Sequence, residues 1–92
     1  MEIVFLLSAE IDLYSAYERG GDSLHLQIDA ALSFLKSQPE IGSVFKGGFR
    51  RKLVIRTPFA IYHTCEGQRI IVHGIVDQRE DPEKIWARLK DQ

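Results

Sequence analysis

The sequence is short of the residues that cross-link a chain or anchor it in a bilayer. Of its 92 residues one is cysteine, Cys65. A lone thiol excludes an intrachain disulfide and fits a reducing compartment. No apolar run approaches the roughly 20 residues a membrane helix needs. The opening Met1–Leu7 lacks the basic flank and the length of a secretory leader. A cytoplasmic protein without a membrane partner is expected. Histidine occurs three times, at His25, His63 and His73, and no two share metal-ligand spacing, so no metal site is expected. Gly47-Gly48 supplies a turn and falls far short of a phosphate-cradling loop, so no cofactor is expected either.

What is present is ordinary in amount and uneven in placement. Apolar residues make up 45% and charged residues 27%, the balance of a globular protein. A chain this short buries only roughly 60–65% of its unfolded surface, which leaves room for a partner to add stability. Residues 1–92 are read as a single domain. The net charge of −1 conceals a division. Residues 1–45 carry seven acids against Arg19 and Lys36, while residues 46–92 carry ten basic residues against six acids. Five of those ten, Lys46, Arg50, Arg51, Lys52 and Arg56, crowd one short segment. Such a field suits an acidic partner or a phosphate backbone, and equally a solvated strand rim with snorkelling stems.

Hydrophobic spacing sets the order of elements. Ile3–Leu7 is too brief an apolar run for a helix and reads as a buried strand. Ser8 is a candidate N-cap for a helix to about Arg19, with Ala9, Leu13, Ala16 and Tyr17 on one face. Gly20-Gly21 breaks it. Asp22 then caps a second helix to about Ser37, with Leu24, Ile28, Leu32 and Leu35 on its inner face, and Pro39 ends it. A glycine-bearing loop over residues 42–48 leads to strands over 49–56, 59–63 and 69–76. Asp81 and Pro82 have the identities of an N-cap and first helical residue before a closing helix carrying Ile85, Trp86 and Leu89. The order is β-α-α-β-β-β-α: an α+β domain with a helix hairpin on an antiparallel sheet and a short C-terminal helix.

Thr57-Pro58 as a two-residue turn sets Val54 opposite Ile61 and Lys52 opposite His63. Glu66-Gly67 as the next turn sets His63 opposite Ile70. One face then carries Val54, Phe59, Ile61, Ile70, Val72 and Val76 and packs on the helices. The other carries Arg51, Leu53, Ile55, Ala60, Tyr62, Thr64, Arg69, Ile71, His73, Ile75 and Asp77 and reads as a mixed binding face. His63 and His73 point to opposite sides. Cys65 has no base beside it in sequence and is read as incidental. Trp86 reads as packing for the last helix, with a protein-contact role as the other reading.

Three motifs in this order carry a family resemblance: Arg50-Arg51, Pro58-Phe59-Ala60-Ile61-Tyr62, and Gln78-Arg79-Glu80-Asp81-Pro82 ahead of Trp86. The chain resembles the ParE/RelE superfamily, toxins of type II toxin–antitoxin modules, over nearly its whole length. It departs from that pattern at Asp77 and Glu80, acids where relatives tend to be basic, and at Ala60, where RelE-like ribonucleases place an arginine. Arg79 still matches. The resemblance is therefore closer to ParE, which implies a growth inhibitor that binds DNA gyrase and is neutralised by a cognate small antitoxin. Arg50, Arg51, Lys52, Arg56, Arg79 and Trp86 are the expected target or antitoxin contacts. The RelE alternative implies a ribosome-dependent mRNA endoribonuclease, with His73, Arg79, Arg51 and Tyr62 as candidate catalytic residues for proton transfer and phosphorane stabilisation. A third reading is a non-toxic relative of the same fold.

Overall fold

The computed structural model describes residues 1–91. Strand β1 (Glu2–Phe5) runs directly into helix α1 (Leu7–Ser37). The expected strand therefore stops early. Leu6 is the N-cap, with no side-chain hydrogen bond, so the capping role expected of Ser8 is not realised. The Ser8 hydroxyl instead donates to the His73 carbonyl at 3.3 Å.

Within α1 the helix is interrupted at Gly21, whose φ of 64° and ψ of −155° are non-helical and suit a residue without a Cβ. The two limbs fold back on each other. Tyr17 stacks on His25 at 4.0 Å between ring centroids and donates a 3.0 Å hydrogen bond to Asp29. In an unbroken helix those twelve residues would hold Tyr17 and Asp29 roughly 18 Å apart. The expected hairpin is present. Its inner face is the predicted one, with Ala9, Ala16, Leu24, Ile28 and Leu35 buried and Leu13, Tyr17 and Leu32 packed against them.

Four further strands follow: β2 (Ser43–Lys46), β3 (Phe49–Leu53), β4 (Phe59–Glu66) and β5 (Arg69–Asp77). Helix α2 (Pro82–Lys90) closes the chain, and the Asp81 carboxylate accepts a 2.9 Å bond from the Glu83 amide. The sheet order is β1-β5-β4-β3-β2. Two corrections arise here. Residues 43–46, expected as loop, form an edge strand antiparallel to β3, and β1 lies parallel to β5, so the sheet is mixed rather than antiparallel. The α1 hairpin carries the chain from β1 at one edge to β2 at the other, and the long connection that the parallel β1–β5 pair requires is completed by β2, β3 and β4.

The register differs from expectation at two places. Strand β3 ends at Leu53, and Leu53 faces Ala60, so the connection is a loop over residues 54–58 instead of a two-residue turn. The Thr57 hydroxyl organises that loop, donating to the Val54 carbonyl at 2.9 Å and accepting from the Phe59 amide at 3.1 Å. A displacement of two residues leaves each side chain on its predicted face. The second difference does not. A bulge sets Tyr62 opposite Gly74 and His63 opposite Val72, which leaves His73 as the extra residue. Beyond it the faces exchange. Ile75 joins the hairpin-side core with Ile61, Ile70 and Val72, and Val76 joins Ala60 and Tyr62 on the other side.

That other side is not the open face expected. Ile85 and Leu89 of α2 cover it, with Phe45 and Phe49 at the margin, so helices flank the sheet on both faces. β1 accompanies β5 only as far as Val72, and α1 takes over beyond it. Besides the Ser8 contact, the Asp12 carboxylate accepts from the Ile75 amide at 3.0 Å and also binds Arg88 of α2. Asp12 thus ties the hairpin, strand β5 and the last helix. Among the described residues no helix is long and apolar enough to cross a membrane.

Candidate functional site

The basic segment does not form one surface. Alternation along β3 sends Arg50 and Lys52 to the hairpin side and Arg51 to the α2 side. Arg50 turns inward to the backbone, donating to the carbonyls of Glu40 at 3.2 Å and Gly42 at 3.4 Å. It fastens the connection between α1 and β2. Lys52 sets its ammonium 5.4 Å above the Phe34 ring. Arg56 sits in the loop after β3 with a φ of 65°, the one non-glycine residue described with positive φ, and is exposed.

Lys52 and Arg56 border an apolar groove between the second limb of α1 and the end of β3. Gln27, Ala30, Ala31 and Phe34 form its helical wall, and Lys52, Leu53 and Ile55 the other. Arg56 stands where Gln27 also lines the adjoining hollow. Phe34, Leu53 and Ile55 are 46%, 46% and 64% exposed, large apolar side chains that the fold leaves in water. A contiguous exposed patch of this kind marks an interaction site more often than a single exposed leucine does. The sequence reading assigned Leu53 and Ile55 to a sheet face and passed over Phe34. The available signal was an aromatic residue off the inner face of its helix, opposite apolar residues at a strand end.

On the α2 side, Arg51 faces Tyr62 across the β3–β4 ladder and lies 5.9 Å from the Phe45 ring centroid. Tyr62 is fully buried and meets Phe45 edge to face at 5.1 Å. Burial pushes the Tyr62 phenol up, and neighbouring Arg51 partly opposes the shift. Even so, neither the Tyr62 hydroxyl nor the buried Arg51 Nε meets a partner in hydrogen-bond geometry. Trp86 lies half-buried over Gly47, where a Cβ would fall 2.4 Å from the indole, so only glycine lets the ring settle there. Phe49 meets that ring edge to face at 5.7 Å and the Lys46 ammonium stands 5.2 Å from it.

The candidate catalytic residues are only partly assembled. Arg51 and Tyr62 adjoin, beneath α2. His73 lies with its Nε2 2.9 Å from the Thr64 hydroxyl and its ring edge to face with Phe49 at 4.7 Å. Arg79 is held at the far end of β5, because its Nε and Nη2 bind both oxygens of Asp77 at 3.0 and 2.7 Å. Asp77 is four residues past His73, roughly 13 Å along a strand. The guanidinium hydrogen bonds hold the Asp77 carboxyl down at about 2, so the pair stays ionised at neutral pH. Arg79 is nevertheless 74% exposed and can exchange this partner for another carboxylate or a phosphate.

His63 is the one buried polar residue described. Neither ring nitrogen has a hydrogen-bond partner, and burial, with Arg50 and His73 adding to it, lowers its pKa to about 4. His25 is a surface residue paired with Asp29 at 3.1 Å, and Cys65 is exposed near the Pro39 carbonyl. No group of three or more His, Cys, Asp or Glu side chains able to hold a metal occurs among the described residues.

No family model and no curated protein matches the sequence. Among solved structures, a chain from the chromosomal ParDE toxin–antitoxin system of P. aeruginosa superimposes with a TM-score of 0.65 at 18% identity, over 84% of this chain and 95% of that one. At that identity the likeness is one of fold, and the chain has the α+β fold of a ParDE-system protein.

Proposed function

We propose that the protein is the toxin of a type II toxin–antitoxin module of the ParE kind. On this reading it restrains growth by binding a macromolecular target such as DNA gyrase, and a small antitoxin neutralises it. The observation that carries the proposal is the fold likeness over nearly the whole of the ParDE-system chain, joined to an exposed apolar groove with a basic border. An acidic amphipathic segment fits that groove: apolar side chains against Phe34, Leu53 and Ile55, carboxylates against Lys52 and Arg56. Arg79, ionised and exposed, is the second cationic contact, and Trp86 the aromatic one. The ribonuclease alternative draws less support, since Tyr62 lies beneath α2 and Arg79 stands a strand length from His73.

The test is induction of the chain alone in a bacterial host. Growth should arrest, the DNA-damage response should rise, messengers should stay intact, and co-expression of the adjacent small frame should relieve the arrest. Normal growth at confirmed soluble expression would instead identify a non-toxic chain of the same fold. Codon-positioned messenger cleavage would identify a ribonuclease. With partner in hand, Arg79→Ala should weaken binding roughly tenfold or more while leaving the unfolding midpoint in place.

A further inference from the structure

The outer face of the first limb of α1 carries a second apolar surface, of opposite charge to the groove. Leu7, Ile11 and Tyr14 are 72%, 57% and 64% exposed, Leu7 the most exposed of the large apolar side chains described. They stand at i, i+4 and i+7, one line along the helix. Glu18 lies a turn beyond Tyr14 and Glu10 a turn before it, both exposed. No lysine or arginine occurs between Met1 and Glu18. The limb is itself an acidic amphipathic segment, the chemistry that the groove beside Lys52 and Arg56 accepts.

We infer that the partner-free protein self-associates, the Leu7–Ile11–Tyr14 stripe of one copy seating in the Phe34–Leu53–Ile55 groove of another. Glu10 and Glu18 then meet Lys52 and Arg56. The inference rests on the groove reading given under the proposed function, and it makes self-association and partner binding mutually exclusive. Charge complementarity selects this occupant: stripe against stripe sets acids together, and groove against groove sets cations together. Three apolar side chains on each surface fall well short of the roughly 800 Å² per partner of stable complexes, so the contact is weak and concentration-dependent.

Sedimentation equilibrium on the purified chain at low salt tests it, over about 10 μM to about 1 mM, the range where so small an interface is populated. The average mass should climb from 10.5 kDa toward at least twice that value, and fall back as salt screens the charges. Glu10→Lys with Glu18→Lys should give a monomer, and so should Lys52→Glu with Arg56→Glu. An equimolar mixture of these two variants should associate again, since one now supplies a basic stripe and the other an acidic groove. Single swaps at Glu18 and Arg56 provide a milder pair should Lys52→Glu disturb the fold. A wild-type chain monomeric throughout, swapped variants that associate alone, or a mixture that stays monomeric would each overturn the inference. A toxic chain that stays monomeric sinks only self-association, and a harmless chain that complements sinks only the toxin reading.

Discussion

The two sides of the sheet are built differently. Toward the hairpin, two helical limbs press aliphatic side chains onto Ile61, Ile70, Val72 and Ile75, and the buried cluster is continuous from Ala9 to Ile75. Toward α2 the buried set is five residues, completed at its rim by Phe45 and Phe49. The first side is made by area removed from water. The second depends more on ring packing, Phe45 against Tyr62 and Phe49 against Trp86, while each side encloses polar atoms that meet nothing, His63 on the first and Tyr62 with Arg51 on the second. One sheet thus carries a face that sets the fold and a face that is easier to adjust.

Truncations on the two sides should break the comparison open most widely. Ile28→Ala, in the middle of the hairpin-side core, should cost roughly 4 kcal/mol in urea unfolding, because aliphatic neighbours on both layers hold the cavity open. Leu89→Ala should cost about 2 kcal/mol, since a terminal helix can settle into the space. Equal losses would remove the distinction.

Acid should act on the hairpin side through His63. Its pKa is near 4 in the folded chain and 6.5 without the fold, so the unfolded chain takes the proton first. Stability is then fully present above about pH 6.5 and declines as pH falls toward 4, by about 2–3 kcal/mol. Arg50 from β3 and His73 from β5 are the charged or titratable neighbours acting on it, and both oppose the proton. His63→Leu should flatten this part of the pH profile. A variant that still loses stability over the same interval would place the sensitivity elsewhere.

The smallest effect belongs to the α2 side. Tyr62→Phe removes a buried hydroxyl without a partner and should raise stability by about 1 kcal/mol. A loss of that size would mean that the hydroxyl is bonded in solution, to Arg51 or to a water between them.

The different construction explains what could be read from the chain. Inner positions of the hairpin repeat at helical spacing, Gly21 has the only chemistry suited to its backbone, and Asp81-Pro82 carries a helix start in its own side chains. These are local signals, and they survive folding unchanged. The α2 side depended on events with no local mark. From Ile70 to Val76 the chain is apolar on both faces, so a single bulge at His73 alters neither pattern nor hydrophobicity, yet exchanges Ile75 with Val76. Strand β2 is four residues with Val44 exposed, too short to alternate visibly. Phe34, Leu53 and Ile55 lie on two elements that only the tertiary fold brings together. The basic run over 50–56 was legible as charge, while its division between Arg50 turned to backbone, Arg51 on ring and Lys52 on ring required the register.

The Asp12–Arg88 ion pair has a consequence in time as well as space. It joins two residues 76 positions apart in sequence, and the same carboxylate binds the Ile75 amide of β5. A contact of such sequence separation meets the full entropy of closing the loop between its partners, so the pieces that depend on it are made late. During synthesis the hairpin and most of the sheet can be laid down before α2 has emerged. The last helix then locks a structure that already exists, and in reverse it is the first to let go. Momentary release of that latch would uncover Tyr62 and Arg51 while the hairpin side stays closed.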